Sequence, residues 1–105
     1  MTKEQFLVIL DSVSPAEHTA YVEHFRLKIS HVHGSEISHA LRELTEALKI
    51  LVDSARTAED SAAECRLLPE RVSLANDMIT VMTDAWMVQW EAMIREQFQH
   101  GGVSA

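Results

Sequence analysis

The chain has 105 residues, 47% of them hydrophobic, with three glycines, two prolines, one cysteine and a net charge of −7. That length and apolar content suffice for one core and give no sign of a second domain, while a lone cysteine excludes an internal disulfide and agrees with a reducing compartment. Nine basic residues scattered among sixteen acidic ones argue against nucleic acid, which proteins hold mainly by neutralising phosphates with Lys and Arg.

β-branched alternation is missing, and Ala, Leu, Glu and Met are plentiful, so the expected class is all-α. The longest apolar run, Phe6 to Leu10, is too short for a membrane span or a signal-peptide core. A cytoplasmic protein without membrane insertion is the expectation.

Along the chain, Thr2 with Gln5 has the form of a helix cap with Gln at the third helical position, and Phe6, Ile9, Leu10 and Val13 recur at helical spacing. This predicts a first helix over 3–12. Ser14-Pro15-Ala16-Glu17 then combines a capping serine, a proline suited to the first helical position and a glutamate that completes a capping box. A second helix is predicted over 15–32, with His18, Tyr21, Val22, Phe25, Ile29 and Val32 on one face and Gly34 ending it.

Ser35 is the expected cap of a long third helix over 36–67. Within it Ile37, Leu41, Leu44, Leu48, Leu51, Ala55, Ala58, Ala62 and Cys65 alternate spacings of four and three. Such a seam keeps facing one partner helix in the manner of a coiled coil, and Cys65 reads as a buried hydrophobe on its small half. Pro69 disfavours a helical Leu68 and suits a new first turn. A turn at 67–70 is therefore expected, a kinked continuous helix being the alternative. The fourth helix is predicted over 70–100, with Gly101-Gly102 opening a flexible tail over 101–105. A turn there would set Val72 and Ala75 beside Cys65, Ala62 and Ala58, and Trp86, Trp90 and Met93 beside Leu48, Leu44 and Leu41. The predicted architecture is two short N-terminal helices on a long antiparallel helical hairpin.

The fourth helix has more apolar surface than one partner helix needs, carrying four of the five methionines and both tryptophans. Either the two short helices cover the surplus, or it is a subunit or partner interface, for which Met and Trp are suited. The short helices cannot easily cover the hairpin's whole length. Met87, Trp90, Ile94 and Phe98 are therefore the expected contact residues of a partner or dimer interface.

A metal site is disfavoured. The six histidines are separated by 6, 7, 2, 6 and 61 residues, whereas helical ligand pairs need spacings of three or four. One Glu-x-x-His unit, Glu36 to His39 with Glu43 nearby, projects away from the seam, while metal sites of helical bundles point inward. There is no nucleophile elbow, glycine-rich phosphate loop or inward pair of carboxylates, so no catalytic residue and no cofactor is expected. The functional expectation is a non-enzymatic protein-binding module, homodimeric, serving as a small regulator, adaptor or chaperone. The alternative is an acidic inhibitor of the immunity or antiactivator kind with one basic protein target.

Overall fold

The computed structural model describes residues 1–59 and 61–103. Over these the chain is all-α: α1 (Lys3–Ser12), a 3-10 turn at Pro15–Glu17, α2 (His18–Ile29), α3 (Gly34–Thr57) and α4 (Ser61–Val103). The predicted architecture of two short helices on a long hairpin is present.

Both N-terminal capping signals operate. The Thr2 hydroxyl accepts from the Gln5 backbone N–H at 3.3 Å, and Gln5 Oε1 accepts from the Thr2 N–H at 2.8 Å. Two of α1's unpaired amide donors are thereby satisfied. At the next boundary the Ser14 hydroxyl and backbone N–H both donate to Glu17 Oε1, at 2.7 and 3.3 Å. These bonds favour the charged carboxylate and hold Glu17 below its ordinary pKa, the hydroxyl contributing most. The Pro15 segment is a separate 3-10 turn, and α2 stops at Ile29, so the predicted helix over 15–32 is shorter at both ends.

Gly34 opens α3 instead of closing α2. His33 is the cap, its Nδ1 accepting from the Ser35 backbone N–H at 3.2 Å, where Ser35 itself was the expected cap. The glycine serves close approach: a Cβ there would lie 2.9 Å from Gln89 Oε1. Gln89 is in turn held by donating from Nε2 to the Val32 carbonyl at 2.7 Å.

The main correction concerns the hairpin turn. It lies between the end of α3 at Thr57 and the start of α4 at Ser61, with Ala58 already out of the helical conformation, and α4 then runs through Pro69 without a break. Helices over 36–67 and 70–100 are thus replaced by Gly34–Thr57 and Ser61–Val103, and residues 101–103 are helical instead of part of a loose tail. Pro69 and Cys65 are both exposed. The Cys65 carbonyl, which loses its usual i+4 donor to the proline, is therefore on the wet side of the helix, where the loss is least costly. Arg71 spans the same stretch, donating to Glu64 at 3.3 Å and to Asp11 of α1 at 2.6 Å. Because α4 is continuous through Pro69, Pro69→Ala should restore a backbone hydrogen bond and raise stability by about 1–3 kcal/mol in a denaturation titration. A neutral or destabilising result would put the turn back at the proline.

The earlier turn resets the layers. With the bend after Thr57, Leu44 shares one core with Leu74, Ala75, Met78 and Met82. Ile37, Ala40, Leu44, Ala47 and Ala55 are the buried residues of α3, while Leu41, Leu48 and Leu51 are half-buried against them. The expected seam is thus one edge of a broader stripe, and Cys65 is exposed instead of buried. On α4, α2 runs parallel to it, as His18 meets Asp77 and Val32 meets Gln89 at nearly constant offsets of 59 and 57 residues. α1 packs mainly on α3. Phe6, Leu10, Phe25 and Ile29 enter the core from these two helices. Among the described residues no polar or charged side chain is buried.

Candidate interaction surface

Unequal helix lengths create the surface. α3 has 24 residues and α4 has 43, and Gly34 at the start of α3 lies beside Trp86 and Gln89. The residues of α4 beyond Gln89 therefore outrun α3 by about 20 Å, at 1.5 Å per residue. The molecule's longest dimension, 65 Å, is close to the length expected of α4 alone.

The apolar face of α4 changes sides where the bundle ends. Leu74, Ala75, Met78, Val81 and Met82 are buried against α2 and α3, and the opposite side of the same segment carries Ser73, Asn76, Thr80 and Asp84, all exposed. Continuing at about 100° per residue, that outer side next presents Met87, then Trp90, Ile94 and Phe98. The helix thus fully buries one side as far as Met82, with Ala85 still packed against the core, and turns hydrophobic on the other from Met87 onward. Such a reversal has no use within the bundle, because a helix packed on one side only needs one apolar stripe.

All four expected contact residues fall on this outward stripe. Met87 is 47% exposed, Trp90 44% and Phe98 76%, while Ile94 is half-buried. Neither short helix covers them, as α2 ends at Ile29, short of Val32, which lies at the Gln89 level. Trp86 and Met93, expected inside the hairpin, are instead exposed, because the earlier turn moves both past the large residues of α3. Trp86 stacks on Trp90 with ring centroids 5.8 Å apart and planes within 6°, which links the bundle's edge to the stripe. Val88, which the expected contact set lacks, is also exposed.

The histidine and carboxylate unit lies elsewhere. On α3 His39 Nε2 is 3.8 Å from Glu43 Oε1 and Glu36 is exposed. Among the described residues no three His, Cys, Asp or Glu side chains are arranged to hold a metal ion. Nor is any described helix long and apolar enough to cross a membrane.

Fold and surface together define an all-α bundle with one protruding, partly apolar helix. Comparison with protein-family models, curated proteins and solved structures finds no match to this chain.

Proposed function

We propose that the chain is a non-enzymatic protein-binding module that self-associates as a homodimer through Met87, Trp90, Ile94 and Phe98, and in that form regulates, adapts or shields a partner protein. The observation that carries this reading is the reversal of α4's apolar face past the end of the bundle. Contiguous exposed apolar patches beyond a few hundred Å² usually mark association sites. Aromatic and Met side chains suit such a patch because they bring large area and adaptable shape. The net charge of −7 favours, as second reading, a basic protein as the target of an acidic inhibitor.

The test is the double change Trp90→Glu with Phe98→Glu. Both side chains lie beyond the bundle, so helicity by circular dichroism should be unchanged while light scattering shows the associated species gone. Unfolding of this variant would return these residues to the core, and normal association would place the interface elsewhere.

A further inference from the structure

We infer that the occupant of the α4 stripe is the α4 stripe of a second copy of this chain, laid antiparallel about a two-fold axis near residues 92–93. This rests on the self-association reading above and adds its partner, direction and register.

Four features of the stripe carry the inference. First, its spacing is close to palindromic. Met87, Trp90, Ile94 and Phe98 are separated by three, four and four residues, so an antiparallel copy sets Trp90 against the partner's Ile94 and Met87 against the partner's Phe98. Second, Glu91 and Arg95 lie on the same flank of the stripe, by about 100° per residue. In antiparallel helices like flanks face each other, so each Glu91 meets an Arg95 and each Arg95 a Glu91. Both are exposed, and among the described residues neither makes an ion pair within its own chain. In a parallel pair this flank would instead face Met93 and Gln97, which offer no charge.

Third, the stripe faces away from the bundle, so an antiparallel copy brings its own bundle to the far end and the two do not collide. A parallel copy would lay the bundles side by side. That would press together the outer rows of Ser73, Asn76, Thr80 and Asp84, desolvating polar groups and gathering acidic ones without compensation. Fourth, the area suffices. With the fractional exposures of Met87, Trp90 and Phe98 on the stripe and of Trp86 and Met93 on its other flank and about 200 Å² per side chain, two copies bring roughly 1,000 Å² of apolar surface, the size at which specific interfaces begin.

Solution scattering on the full chain, combined with charge reversal, tests the pairing. The expected dimer is about 100 Å long, since each copy places about 47 Å of helix between the hairpin turn and the axis. Glu91→Arg alone and Arg95→Glu alone should each weaken dimerisation by about tenfold, because each turns two attractive contacts into repulsive ones. The double reversal should restore it. A dimer about 70 Å long and indifferent to these changes would overturn the antiparallel pairing and leave the binding-module reading standing. A chain that remains monomeric at about 100 μM would overturn the pairing and self-association together. The reversed residues are exposed and outside the bundle, so folding of the variants is not at issue and circular dichroism provides the control.

Discussion

Leu44→Ala is expected to lower the unfolding free energy by about 2–5 kcal/mol, while exposed Arg42→Ala stays within about 0.5 kcal/mol. Leu44 is fully buried and sits in the main contact of the fold, where α3 meets α4. Removing its three terminal carbons forfeits their transfer energy and leaves a cavity between helices that cannot close up without moving whole elements. Against a total stability of about 5–15 kcal/mol for a domain of this kind, the loss is a large share. The same titration distinguishes the two hairpin registers. Had Leu44 packed on Trp90, as a turn at Pro69 requires, Trp90→Ala would be among the most damaging changes in the chain. With the turn between Thr57 and Ser61, Trp90 lies beyond the bundle, and its truncation should cost less than about 1 kcal/mol. A denaturation midpoint for Trp90→Ala as low as that of Leu44→Ala would sink the register.

Phe25→Ala is expected to cost about 3–5 kcal/mol, and its effect should concentrate on α2. That helix has only Phe25 and Ile29 fully buried, so one aromatic ring supplies a large part of what holds it to α4. Tyr21 stacks on it with centroids 6.3 Å apart and is itself partly buried, which pushes the Tyr21 phenol above its ordinary pKa. Losing the ring removes that contact as well. The polar fastenings of α2, His18 to Asp77 and Gln89 to the Val32 carbonyl, lie near its two ends and are exposed or partly exposed. Such bonds contribute only about 0.5–1.5 kcal/mol each. Amide exchange over 18–29 should therefore accelerate more than exchange over 37–55. The control is Leu27→Ala, whose side chain is 68% exposed and should change neither measurement. Equal acceleration throughout the chain would mean that α2 does not open separately.

The local signals were legible because they depend on neighbours in the chain. Thr2 with Gln5 and Ser14 with Glu17 make their bonds three residues apart, and Lys3–Ser12 is the predicted first helix to the residue. Composition sufficed for the all-α class, since few glycines and little β-branched alternation leave helix as the way to bury so much Leu, Ala and Met. The outward stripe was also readable, as four positions at helical spacing carrying more apolar area than two short helices can cover.

The position of the hairpin turn was decided by tertiary structure. Ala55, Ala58 and Ala62 fit a continuing seam and a helix end equally well, because a methyl group specifies no partner, so the heptad pattern ran on past the bend. The competing signal, Asp60-Ser61 followed by Glu64, contains residue types that favour a helix start; Asp60 itself lies outside the described residues. Pro69 was the stronger breaker locally, yet a proline on an exposed side of a packed helix gives up one hydrogen bond, which burial of Leu74, Ala75, Met78 and Met82 along the same helix outweighs. Moving the turn by some ten residues left α4 longer than α3, and that excess length carries the outward stripe past the end of the bundle. Which residues are apolar is written in the chain, whereas which of them remain uncovered depends on where two helices of unequal length come to lie side by side.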